Sequence, residues 1–202
     1  PWMYSKIKKG DIRSMRKVLQ LLGIVVVGIA VALMLISPEL VLIFGSPKYR
    51  EAVYVIPPVA ASVFFIFIYN ILSMPQFYYE KTQFLMAASM AAAGANVVLN
   101  FIFIRLFGYI AAGYTTLACY MLYSVGHYIV SKRILVKEGI QENLMNPGFL
   151  VACAVFLIGA SIICNLIFPY RILRYAIMLA SAGLVFWKKE LLLKTMADIR
   201  KK

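Results

Sequence analysis

Two short stripes of polar side chains interrupt long apolar sequence, and both have helical spacing. Ser89, Asn96 and Asn100 lie seven and four residues apart, so an α-helix carries them on one face. Thr116, Tyr120, Tyr123 and His127 follow at intervals of four, three and four and form a second stripe. Amide, phenol and imidazole groups hydrogen-bond hydroxyls, and a tyrosine face stacks on a sugar ring. The chemistry on offer is recognition of a polar molecule, or hydrogen bonding between helices, which needs the same residues. The chain has no paired carboxylates, no nucleophile with a neighbouring histidine and no glycine-rich phosphate loop, so no catalytic residue is assigned. His127 is the only histidine, which argues against a metal site, and no cofactor is implied. A lone histidine near the end of a span is an interfacial residue or a proton relay.

The stripes must be positioned by helices that live in lipid. Of the 202 residues, 63% are hydrophobic, and the mean hydropathy is +0.84. A soluble domain is about 45–50% apolar and has no interior large enough for such an excess. Six apolar stretches are long enough to read as transmembrane helices: Val18–Ser37, Val53–Met74, Thr82–Ile104, Tyr109–Val130, Gly148–Phe168 and the shortest, Arg171–Trp187. Pro38–Phe44 is too short to span and is expected in the interface. Pro57 and Pro58 are expected to kink or break the first turns of the second span. Only Arg105–Gly108 joins spans three and four, which forces an antiparallel hairpin. Tyr69, Tyr78 and Tyr79 read as aromatic-belt anchors.

The charge of +13 is spread unevenly over the loops. With the N-terminal segment placed in the cytoplasm, residues 1–17, 75–81, 131–147 and 188–202 hold sixteen Lys and Arg. The segments on the other side hold five: Lys48, Arg50, Arg105, Arg171 and Arg174. That asymmetry selects an all-α polytopic bundle of six spans with both termini inside. The organisation is then a cytoplasmic segment 1–17, four spans within 18–130, a cytoplasmic loop 131–147, two further spans within 148–187 and a basic tail 188–202. The tail reads as an in-plane amphipathic helix or a frayed basic end. Because the basic residues flank apolar stretches, they point to membrane lipid headgroups and not to nucleic acid. Cys119, Cys153 and Cys164 all fall inside apolar stretches, an odd count that makes them packing residues. No Lys, Arg, Asp or Glu lies in the middle of a span, and ion-coupled pumps commonly place a carboxylate there.

Spans one to four resemble the C-terminal lobe of Wzx-type oligosaccharide-lipid flippases, within the multidrug/oligosaccharidyl-lipid/polysaccharide exporter superfamily. The likeness rests on an ordered set of short motifs. Ser37-Pro38-Glu39, then Phe44-Gly45 with Tyr49 and Ala52, resembles the short extracellular segment after an odd-numbered helix. Tyr79-Glu80-Lys81-Thr82 resembles the turn into the next span. Asn96 and Leu99-Asn100, followed by Gly108-Tyr109-Ile110-Ala111-Ala112-Gly113 and Thr116, resemble the Asn-rich helix and the glycine turn after it. Ala111 stands where the family carries its second glycine.

The resemblance implies spans nine to fourteen of a fourteen-span protein, with the earlier helices of the same protein as partners. It implies a flippase that moves a polyprenyl-diphosphate-linked oligosaccharide repeat unit across the bacterial inner membrane by alternating access, for surface polysaccharides such as O-antigen. Asn96, Asn100, Tyr120, Tyr123 and His127 would meet the sugars, and Lys81 and Arg105 the diphosphate. The alternatives are a multidrug antiporter of the same superfamily, a membrane enzyme of polysaccharide assembly and a small membrane scaffold. In an isolated structure of this chain, polar stripes such as Asn96–Asn100 are expected to stand exposed, and full burial among these six helices would count against the resemblance.

Overall fold

The computed structural model describes residues 2–187, and the expected amphipathic tail lies outside them. The described residues are helical throughout, with no strand: α1 (Trp2–Lys8), α2 (Ile12–Phe44), a 3-10 segment (Pro47–Tyr54), α3 (Ile56–Tyr78), α4 (Gln83–Phe107), α5 (Ala111–Lys137), α6 (Pro147–Ile167) and α7 (Arg171–Trp187). Among the described residues, α2, α3, α4 and α6 are long and apolar enough to cross a membrane. The polar stripe of α5 lowers its hydropathy, and α7 is only 17 residues long.

The first turn of α2 is set by Asp11, whose Oδ1 accepts from the Ser14 N–H at 3.3 Å. Gly10 supplies the left-handed turn from α1, at φ +67°. Lys6 Nζ reaches Asp11 Oδ2 at 2.6 Å, and this hydrogen bond holds the carboxyl below the usual carboxylate range. The segment 1–17, set apart in sequence from the first span, is therefore a helix, an elbow and the start of α2.

Two expectations about proline change. Pro38–Phe44 is not a separate interfacial piece but the last turns of α2, which runs 33 residues, about 50 Å. Pro38 has no N–H for the Met34 carbonyl one turn back, and Ser37 Oγ donates to that oxygen instead, at 2.7 Å. Pro57 and Pro58 do not kink a span. The chain before them is 3-10, and they sit in the first turn of α3, where their missing N–H groups have no helical role. The Tyr54 carbonyl, which no N–H of the two prolines can meet, accepts from Asn165 Nδ2 of α6 at 3.3 Å.

At the centre is α3, which packs along α5 and α2 and also meets α6 and α1. Ala60, Ala61, Phe64, Phe65, Ile68, Ile71 and Leu72 are buried on it. The start of α5 presses against the start of α3 at Gly113, where a β-carbon would fall 2.7 Å from Pro58 Cγ and 2.9 Å from the Val55 carbonyl. By contrast, α4 packs chiefly on α5 and buries none of its residues. Met86, Met90, Val97 and Phe101 stand exposed on it, an apolar face suited to lipid.

The short α7 meets α2 and α6 and, among its described side chains, buries one, Arg174, which is 2% exposed. Sequence counting treats Arg174 as a loop charge. In the structure its Nη2 donates to Glu39 Oε1 of α2, and the Tyr175 hydroxyl donates to the same oxygen at 2.7 Å. Replacing Glu39 with Gln leaves a buried guanidinium without its counter-charge. The expected cost is about 3 kcal/mol, the low end for a buried pair because the Glu39 side chain keeps 29% exposure. Denaturant unfolding of the purified protein in micelles measures it, and the double variant Glu39→Leu, Arg174→Leu is expected to recover most of the loss. A Glu39→Gln variant as stable as the parent rejects this role for the pair.

Candidate functional site: a polar groove on three helices

The two polar stripes meet where α4 lies along α5. Thr115 Oγ1 donates to Asn100 Oδ1, and Asn100 Nδ2 donates to Asn96 Oδ1 at 3.0 Å. The chain is directional, so it ends with the Nδ2 hydrogens of Asn96, which meet no acceptor among the described residues. About two turns away along α4, Ser89 Oγ and the Tyr123 hydroxyl share a hydrogen bond of 2.7 Å. Side-chain hydrogen bonds thus contribute to the seam that holds α4, as expected where lipid competes equally for apolar surface. Asn96 and Asn100 are half-buried, less open than the sequence reading expects but not closed off.

Beside this seam, α3 approaches α5 from the other flank, and the three helices leave a groove of about 310 Å³. Its walls are Tyr69 from α3, Ser89, Ala92, Ala93 and Asn96 from α4, and Thr116, Cys119, Tyr120 and Tyr123 from α5. The alanines keep the α4 wall low, and Asn96 lies near the midpoint of α4. Tyr69 and Tyr120 lie almost parallel, with centroids 6.3 Å apart and planes 7° apart, and Tyr69 meets Tyr123 at 4.7 Å. The groove therefore presents flat aromatic surface together with amide and hydroxyl groups.

His127 lies behind Tyr123, fully buried, and does not line the groove. Its ring stands edge-on to Tyr123 at 4.5 Å and to Phe84 at 5.4 Å. Gln76 Nε2 of α3 contacts His127 Nδ1 at 2.7 Å and reaches the Leu72 carbonyl at 3.4 Å. An amide nitrogen that donates to the carbonyl also presents a hydrogen to Nδ1, which sets that nitrogen as the acceptor. His127 thus ties α5 to α3 and braces the tyrosines from behind.

Of the sequence candidates, Asn96, Tyr120 and Tyr123 line the groove, Asn100 supports Asn96, and His127 supports Tyr123. Lys81 and Arg105 sit at opposite ends of α4, exposed and away from the groove lining. The Arg105 guanidinium covers the Phe101 ring at 3.8 Å. Tyr69, read in sequence as an interfacial anchor, is instead a groove wall. Gln76 was not singled out at all. The signal for both was their spacing: Tyr69 and Gln76 are seven residues apart, two turns on one face of α3.

On the far side of the α3–α5 pair lies an apolar groove of about 390 Å³, bounded by Phe64, Phe65, Ile68, Met121, Leu150 and Ala154 among others. It opens because α5 and α6 both lean on α3.

No protein-family model, curated protein or solved structure matches this chain. The geometry of the two grooves therefore carries the functional argument.

The Thr115–Asn100–Asn96 relay makes a quantitative prediction. A double-mutant cycle of Asn100→Leu and Thr115→Val is expected to give a coupling of about 0.6 kcal/mol, the average for hydrogen bonds between membrane helices, and no more than about 1.7 kcal/mol. Unfolding in mixed micles of detergent and lipid reads it, and additive effects count against the relay.

Proposed function

We propose that this chain is part of a flippase that carries a polyprenyl-diphosphate-linked oligosaccharide across the bacterial inner membrane. The observation that carries the reading is the polar groove halfway along α4. Amide and hydroxyl groups facing lipid there are costly, so a groove that keeps them open belongs beside water or a polar solute. Stacked tyrosines beside a free amide suit a sugar ring, whose faces are apolar and whose rim is hydroxyl. The apolar groove across the α3–α5 pair suits the lipid part of the same molecule, since an apolar cavity of about 150 Å³ already accepts benzene. The motif resemblance points the same way.

In this reading the chain spans six times, with α5 and α7 joining the four strongly apolar helices and both termini in the cytoplasm. Further helices of the same protein complete the cavity over α4. Rocking of two such bundles about the groove would expose it to each side in turn. Lys81 and Arg105 remain weaker candidates for the diphosphate, because neither faces the groove.

The test is accessibility followed by transport. With Cys119, Cys153 and Cys164 replaced, single cysteines at Asn96 and Tyr120 in the intact membrane protein are expected to react with a water-soluble maleimide. A cysteine at Val97, on the outer face of α4, is expected to stay protected. Resistance at both groove positions sinks the cavity assignment. Tyr120→Ala and Asn96→Ala are expected to slow export of the lipid-linked sugar on the order of fivefold each, as for a lost hydrogen bond of about 1 kcal/mol.

A further inference from the structure

The groove leaves the N-terminal elbow unused, and that elbow is both rigid and strongly basic. Ile7, Ile12 and Met15 are buried in the core, so α1 and the first turns of α2 are anchored. Gly10 N–H donates to the Ile7 carbonyl and Asp11 N–H to the Lys6 carbonyl, which closes the turn. The Tyr4 ring lies 5.5 Å from Tyr78 at the end of α3.

On this frame Lys6 is held by Asp11 and Arg16 by Glu142 at 2.7 Å. Lys8, Lys9, Arg13 and Lys17 stand exposed and have no ion pair among the described residues. Arg13 and Lys17 are one turn apart on α2, and Lys17 directly precedes the apolar run that begins at Val18. The Arg16–Glu142 contact draws the loop after α5 to the same end, where Lys132, Arg133 and Lys137 are also exposed. Trp2 and Tyr4 stand 43% and 38% exposed on α1.

We propose that the elbow formed by α1 and the start of α2 is a docking surface for anionic lipid headgroups, which Lys8, Lys9, Arg13 and Lys17 bind while Trp2 seats in the headgroup layer. Two features select a lipid over a free anion or a nucleic acid. The charges sit immediately beside hydrocarbon-spanning sequence, which fixes them at headgroup depth. An exposed tryptophan and tyrosine on the same short helix match the amphipathic interfacial zone. The inference does not rest on the flippase reading and holds for either orientation of the chain.

The experiment uses the full chain in nanodiscs of equal parts phosphatidylcholine and phosphatidylglycerol, with retained lipids identified by mass spectrometry after release. Preferential retention of phosphatidylglycerol is expected. The variant Lys8→Gln, Lys9→Gln, Arg13→Gln is expected to lower that retention about a hundredfold. The variant Lys8→Arg, Lys9→Arg, Arg13→Lys is expected to keep it, as is Lys48→Gln, Arg50→Gln at the other end of the bundle. Inorganic phosphate is expected not to displace the lipid. Equal retention of the two lipids overturns the proposal, as does an unchanged triple Gln variant. Displacement by phosphate, or tighter capture of single-stranded RNA than of phosphatidylglycerol, overturns it as well.

Discussion

Everything in this bundle is arranged around the close approach of α3 and α5. At one end Gly113 of α5 lets Pro58 and the Val55 carbonyl come nearer than any side chain would permit. Midway, Ser124 Oγ of α5 reaches the Phe65 carbonyl of α3 at 2.9 Å. At the other end Gln76 and His127 close the interface with a buried polar contact. Three such ties along two helices hold the pair in one register. The remaining long helices are added to it: α2 and α6 on the apolar flank of α3, α4 on the far flank of α5. Both grooves are consequences of this plan, because helices that each lean on a shared partner leave a furrow between them.

A second constraint is the treatment of backbone groups that proline leaves free. In hydrocarbon there is no water to take a freed carbonyl, and at two places here a side chain takes it. Ser37 serves Met34 within α2, and Asn165 serves Tyr54 from a different helix. The first repair is local and lets a long helix continue. The second is tertiary and joins α6 to the start of α3. Asn165 Nδ2 also contacts the Tyr114 hydroxyl at 3.0 Å, so one amide serves three elements.

The same logic separates the two kinds of polar residue in the spans. His127, Gln76 and Ser124 are buried and serve the scaffold. Asn96, Thr116, Tyr120 and Tyr69 border the open space of the groove. Composition alone does not distinguish them, since both kinds occur at helical spacing within apolar runs. Tyr123 belongs to both, because it bonds Ser89 across the seam, lines the groove and backs onto His127.

Much was legible in the sequence for a simple reason: helical periodicity and apolar length are local. The helical class, the placing of the stripes on α4 and α5 and the tight α4–α5 hairpin all follow from residues close together in the chain. The extent of α2 was not legible, because whether Pro38 ends a helix depends on what else can serve the Met34 carbonyl. The burial of Arg174 was hidden too, since its counter-charge Glu39 lies 135 residues away. The roles of Tyr69 and His127 were decided by which face of α3 meets which face of α5. By itself, then, the sequence determined the solvent this protein is built for, the helices that suit it and the polar groups those helices carry. Only the tertiary structure decided which of those groups are spent on one another and which remain free, because hydrogen-bond partners in a bundle come from helices distant in the chain.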